Sequence, residues 1–165
     1  MKGEIQMISY RKAEKSDINE LVRIRSIFLE EYDRENHLKH KENVDKEVKE
    51  YLEKFIDTEN FTGFIAEKDN KIVGTSAIAF YDILPAALYM NGKLGYISNV
   101  FVFPEYRKQG IAKKLFELVV NEGLARNCSK LTLHASKDGE PVYEKFGFKK
   151  TATEMEYINE KFYKL

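Results

Sequence analysis

Cysteine occurs once in this 165-residue chain, at Cys128, so no intramolecular disulfide framework is available. No base is recognisably paired with that thiol, which reads as a small hydrophobe rather than a nucleophile. Long apolar runs are also missing. No segment approaches the length of a bilayer span, and the N-terminus lacks the apolar core of a signal peptide. A soluble cytoplasmic protein with no membrane partner is therefore expected, and the glycosylation-like triplet Asn127-Cys128-Ser129 carries no weight without secretion. Neither sign of charge is in excess: 27 Lys and Arg balance 27 Asp and Glu. That removes the broad attraction to nucleic acid expected of a basic domain. No Gly/Ser-rich or Pro-rich linker, repeat or low-complexity tract divides the sequence, so one domain over residues 1–165 is expected.

Hydrophobic residues make up 43% and aromatics 13%, enough for an ordered globular core. Met7 to Arg11 reads as a short first strand. Ser16 or Asp17 then caps a helix whose apolar stripe runs through Ile18, Leu21, Val22, Phe28, Leu29 and Tyr32. A polar connection around His37 to His40 leads to a second helix with apolar positions Val44, Val48, Tyr51, Leu52, Phe55 and Ile56. The period then shortens. Phe61 to Glu67 and Ile72 to Phe80 are β-like runs joined by Lys68-Asp69-Asn70-Lys71, a hairpin signal. Asp82 to Lys93 is a loop, and Leu94 to Phe103 is the longest strand, ended by Pro104. A helix over about Gln109 to Leu124, a strand over Leu131 to Ala135, a helix opened by Pro141 and closed by Gly147, and a last strand within Glu154 to Ile158 complete the order. The order β-α-α-β-β-β-α-β-α-β, with a hairpin-built sheet and one late βαβ crossover, predicts an α/β or α+β layered domain with a mixed sheet.

The segment Phe103-Pro104-Glu105-Tyr106-Arg107-Lys108-Gln109-Gly110-Ile111-Ala112 passes from strand to helix through a cationic, glycine-bearing turn. Gly110 lets the backbone approach a ligand closely or adopt an unusual conformation. The first helical amides have no intrahelical acceptor and carry the positive end of the macrodipole, which favours anions. Arg107 and Lys108 add full charges, and Arg107 is able to grip a phosphate bidentately. The combination suits a pyrophosphate. It is neither a P-loop, which needs G-x-x-x-x-G-K-[ST], nor a dinucleotide fingerprint with three spaced glycines. Standing alone, it also fits an ordinary basic surface turn.

With its neighbours, the turn resembles the central signature of the GNAT superfamily of acyl-CoA-dependent N-acyltransferases, [Arg/Gln]-x-x-Gly-x-[Gly/Ala]. The signature stands here as Arg107-Lys108-Gln109-Gly110-Ile111-Ala112 after Val102-Phe103-Pro104-Glu105-Tyr106. A second landmark of the family is present as Tyr143-Glu144-Lys145-Phe146-Gly147-Phe148, and the clear match covers about Leu94 to Phe148. The resemblance implies a GNAT-like acyltransferase fold and acetyl-CoA as co-substrate. It places the amides of Arg107, Lys108, Gln109, Gly110, Ile111 and Ala112 on the pyrophosphate. It also pairs the backbone of Val100, Phe101 and Val102 with the pantetheine arm, as an added strand between two splayed parallel strands. Family members often carry asparagine and alanine where this chain has Ser136 and Gly139; serine retains a hydrogen bond with shorter reach.

The same resemblance implies direct acetyl transfer to a primary amine of a small molecule or peptide in a ternary complex, with the Val102 N–H facing the developing oxyanion. Tyr143 is the candidate donor to the leaving thiolate. Reference pKa values of about 10 and about 8.5 make full transfer uphill by roughly 2 kcal/mol, so hydrogen-bond donation is the safer description. Alone, Tyr143 would read as a core residue beside Val142 and Phe146. The base is not evident: Tyr96 to Val100 offers no carboxylate, Ser98 or Asn99 suits a bound water, and Glu30, Glu31 and His134 are further candidates. His37 and His40 fit no metal constellation, and none is expected. Cys128 lies outside both landmarks and gives no support for an acyl-enzyme. A non-catalytic acyl-CoA sensor is the main rival, favoured by the missing carboxylate; a nucleic-acid module is disfavoured by the neutral charge. A homodimer is compatible with the sequence without being dictated by it.

Overall fold

The computed structural model describes residues 7–159 and 161. They fall into two compact units, Met1–His134 and Ala135–Leu165. In the first, β1 (Ser9–Lys12), β2 (Phe61–Lys68), β3 (Lys71–Asp82), β4 (Lys93–Val102) and β5 (Lys130–Leu133) form one sheet in that spatial order. The pairs β1–β2, β2–β3 and β3–β4 are antiparallel, and β4–β5 is parallel. This is the mixed sheet expected from hairpins followed by one crossover.

Helices cover both faces. On one lie α1 (Ile18–Tyr32) and α2 (Arg34–Phe55); Ile18, Leu21, Leu52 and Ile56 meet Phe61, Ile65 and Ala77 in a buried cluster. The neighbouring residue Ser76 points the other way, its hydroxyl donating to the Leu115 carbonyl of α3 (Ile111–Ala125) at 2.9 Å. Leu115, Phe116 and Val119 are fully buried on that second face. Double coverage explains why β2 is buried continuously from Phe61 to Ala66 rather than on alternate residues.

The β2–β3 hairpin forms at the expected residues. Asp69 and Asn70 both take positive φ, 53° and 60°, the turn whose twist matches the flanking strands. Three boundaries depart from the sequence reading. The presumed polar connection around His37 to His40 is helical: Asp33 alone separates α1 from α2, accepting from the Asn36 amide at 3.4 Å and from its side chain at 2.7 Å. His37 is buried there against the Ser26 hydroxyl at 3.0 Å. Asp17 does not cap α1 through an amide of that helix; it accepts from the Glu14 amide at 2.9 Å and from Arg11 at 2.7 Å. The strand expected over Leu131 to Ala135 is also displaced and shorter, since β5 spans Lys130–Leu133 and leaves His134 beyond it.

The second unit holds α4 (Glu140–Lys145), opened by Pro141 and closed by Gly147 at φ 91°. The Phe148 amide reaches the Tyr143 carbonyl at 3.1 Å, the wrap that satisfies a helix end. The last strand, expected within Glu154 to Ile158, is not formed. Among the described residues they have no ladder partner, and Met155 and Tyr157 are almost wholly exposed.

Candidate active site

Three local features of the first unit meet at the end of β4. The parallel ladder to β5 stops at Ile97↔Leu133, so Ser98 to Val102 have no strand partner on that edge among the described residues. The antiparallel register to β3 slips in the same stretch: Ala77 pairs with Ser98 but Thr75 with Phe101, which leaves one extra residue in β4. Asn99 absorbs the bulge with φ 55°, a conformation asparagine tolerates better than most residues.

The bulge decides which groups are presented. The Phe103 amide donates to the Val73 carbonyl of β3 at 3.1 Å. Because strand peptides alternate between edges, those of Val102 and Val100 face the open side and that of Phe101 faces β3. The Val100 and Val102 N–H groups therefore turn toward the open edge. Phe101 offers its ring rather than its amide: it is buried, edge-on to Phe28 of α1 at 6.1 Å.

The chain next passes a 3₁₀ turn, Pro104–Tyr106, into the strand-to-helix turn. Lys108 and Gly110 both take positive φ, 62° and 80°. Among the described residues, the amides of Lys108, Gln109, Gly110, Ile111, Ala112 and Lys113 donate to no protein acceptor; the first helical bond runs from Lys114 to the Gly110 carbonyl at 3.0 Å. A Cβ built at Gly110 would meet nothing within 4 Å, so the space over these amides is open. Free donors, a helix N-terminus and the clearance above Gly110 fit a diphosphate. The Arg107 side chain does not join them. Its Nε donates to the Val102 carbonyl at 2.8 Å and its Nη2 to Glu31 at 2.7 Å, which braces the end of β4 against α1. The same pair takes Glu31 out of contention as a free base.

Two further residues face this end of the sheet from the α1 side. The Tyr96 hydroxyl bonds His134 Nδ1 at 2.8 Å. Arg25 of α1 places Nη1 3.5 Å from Asn99 Oδ1, while Asn99 Nδ2 donates to the Thr75 hydroxyl at 3.3 Å. Asn99 thus lies between α1 and β3. Sequence reading missed Arg25, because one arginine in the helix segment Leu21 to Phe28 looks like any solvated charge. A cavity of about 470 Å³ lies elsewhere, lined by Arg11, Asp17, Glu67 and Glu105 among others. Its Arg11 is already held by Asp17 and Glu67 at 2.7 and 2.8 Å, leaving that guanidinium no free charge for a diphosphate.

In the second unit, the Ser136 hydroxyl accepts from the Gly139 amide at 3.2 Å and so opens α4 rather than standing free. The Tyr143 ring lies directly on Gly139, where a Cβ would stand 2.9 Å from the phenol oxygen. Alanine at 139 would force that ring aside. Burial pushes the Tyr143 hydroxyl above its ordinary pKa. Among the described residues, no group of three or more His, Cys, Asp or Glu side chains forms a metal site.

The five-stranded mixed sheet with its open β4 edge and amide-lined turn before α3 is the fold of an acyltransferase. Comparison with known proteins agrees. The model of the acetyltransferase (GNAT) domain matches residues 28–162, and the chain belongs to that family. A predicted acetyltransferase from Clostridium acetobutylicum, solved with acetyl-CoA, superposes with a TM-score of 0.83 at 37% identity over 94% of this chain and 97% of that one. An uncharacterised N-acetyltransferase of Archaeoglobus fulgidus is 30% identical over 117 residues, 71% of this chain and 74% of its own length. A glucosamine 6-phosphate N-acetyltransferase of Trypanosoma brucei brucei is 30% identical over 86 residues, 52% of this chain and 56% of its own.

Proposed function

We propose that the protein is an acetyl-CoA-dependent N-acetyltransferase, a single acetyltransferase domain over residues 1–165 acting on a primary amine of a small molecule or peptide. The observation that carries this reading is the pairing of an unpartnered β4 edge with the unbonded amides from Lys108 to Lys113. The amides hold the diphosphate and the edge takes the pantetheine arm as an added strand. The free thiol of Cys128 suits a reducing compartment such as the cytoplasm.

In the reaction, the amine nitrogen attacks the acetyl carbonyl carbon. The oxyanion that develops is met by the Val102 N–H, whose orientation toward the open edge costs no reorganisation. The carbon–sulfur bond then breaks, and the thiolate receives a hydrogen bond from Tyr143, whose raised pKa keeps it protonated across neutral pH. The proton lost by the amine passes to the Tyr96–His134 pair, directly or through water. The glucosamine 6-phosphate relative brings an amino sugar into the range of acceptors.

The test is thiol release from acetyl-CoA in the presence of a panel of amines. Turnover on any acceptor supports the enzyme. Tight acetyl-CoA binding with no turnover across the panel would favour a sensor, the reading that the absence of a carboxylate in Tyr96 to Val100 supports.

A further inference from the structure

Arg25 differs from the other arginines that pack against the fold or lie at its surface in ion pairs. Arg11, Arg23, Arg107 and Arg126 each hold a carboxylate at 2.9 Å or less. Arg25 holds none among the described residues. Its guanidinium, partly buried, has the Phe28 ring centroid at 5.3 Å and a single contact to Asn99 Oδ1 at 3.5 Å, the outer limit of a hydrogen bond. A guanidinium carries five N–H donors in a rigid fork, and covering one without a counter-ion is costly. Burial accordingly pushes Arg25 below its ordinary pKa, an effect that the nearby Tyr96 hydroxyl only partly offsets.

The position is set by the bulge. In a regular strand Tyr96 and Asn99, three residues apart, would face opposite sides; the extra residue brings both to the α1 side with Phe101. Arg25 thus stands over the stretch of β4 that leads to the open Val100 and Val102 peptides.

We propose that Arg25 is a specificity residue that binds an oxyanion of the acceptor, so that the acceptor is a small amine carrying a carboxylate or a phosphate a few bonds away. The inference rests on the acetyltransferase reading above and deepens it. The fork binds such a group through two parallel charge-assisted hydrogen bonds, and it repels polycationic amines.

The experiment compares matched acceptors, an alkylamine with the amino acid and the amino phosphate of equal length, in the wild type, Arg25→Gln and Arg25→Lys. Acetyl-CoA affinity is measured separately by calorimetry. The wild type is expected to favour one anionic acceptor at least tenfold in kcat/KM, and the two anionic arms tell carboxylate from phosphate. Arg25→Gln should erase the preference by raising KM, leaving acetyl-CoA affinity within about twofold, and Arg25→Lys should recover part of it. Equal use of the neutral amine, or a preference that survives in Arg25→Gln, overturns the proposal. If acetyl-CoA fails to bind or no amine is turned over, the enzymatic reading falls on its own. Acetate and inorganic phosphate then decide: a shift of the Arg25 side-chain nitrogen resonance supports the anion site, and no shift overturns it.

Discussion

Replacing Gly110 separates the requirements of the backbone from those of the ligand. The residue sits at φ 80°, and nothing lies within 4 Å of where a Cβ would be. In the ligand-free protein, Gly110→Ala therefore costs only left-handed strain, about 1–2 kcal/mol. For a chain of this size that corresponds to a fall in Tm of roughly 2–8 °C. Gly110→Asn should cost less, because asparagine tolerates the conformation. Cofactor binding responds differently, since either side chain enters the space assigned to the diphosphate. Losing even one charge-assisted hydrogen bond to the amides costs about 1.5–3 kcal/mol, or more than tenfold in Kd. Thermal melting and calorimetric titration with acetyl-CoA read the two effects independently. Wild-type affinity in both variants would refute the reasoning, because the carrier would then not lie over Gly110.

Tyr143→Phe should lower kcat by about tenfold to a hundredfold while leaving the KM for acetyl-CoA nearly unchanged; thiol-release kinetics check this, and an unaltered kcat removes Tyr143 from the reaction. The Arg11 guanidinium holds the Asp17 carboxyl below the usual carboxylate range, so between that lowered value and about pH 3.9 the native state binds fewer protons than the unfolded chain. The stabilisation is complete above about pH 4 and is lost as pH falls through the native value. Asp17→Asn should flatten that acid slope and cost about 1–3 kcal/mol at pH 7, measured by urea unfolding across pH. Gly92→Ala combines φ 68° with a Cβ 2.2 Å from the Ile83 carbonyl oxygen, and should destabilise by more than about 2 kcal/mol in the same assay.

Features legible in the sequence are those set by local chemistry. Asp69-Asn70 announces its turn because both residues accept positive φ, and Gly147 announces the end of α4 for the same reason. The strand-to-helix turn with its unbonded amides from Lys108 is legible because a glycine, a helix start and a change of period coincide. Features that depend on tertiary pairing are not. The second helix begins as early as Arg34 because Asp33 bonds Asn36 and because Ser26 accepts His37 into a buried position, and neither partner is visible in a run of charged residues. The strand alternation at Glu154 to Ile158 joins no ladder among the described residues. The bulge at Asn99 is equally hidden, since only the register against Thr75 and Ala77 reveals the extra residue. Arg107 shows the limit of motif reading: its charge suggested a phosphate ligand, whereas its side chain spans Val102 and Glu31.

Amide resonances followed through a titration with acetyl-CoA test the central claim most directly. Saturable shifts concentrated at Val100, Val102 and Lys108 through Lys113 are predicted. Shifts confined to other residues, with these amides unmoved, would contradict it.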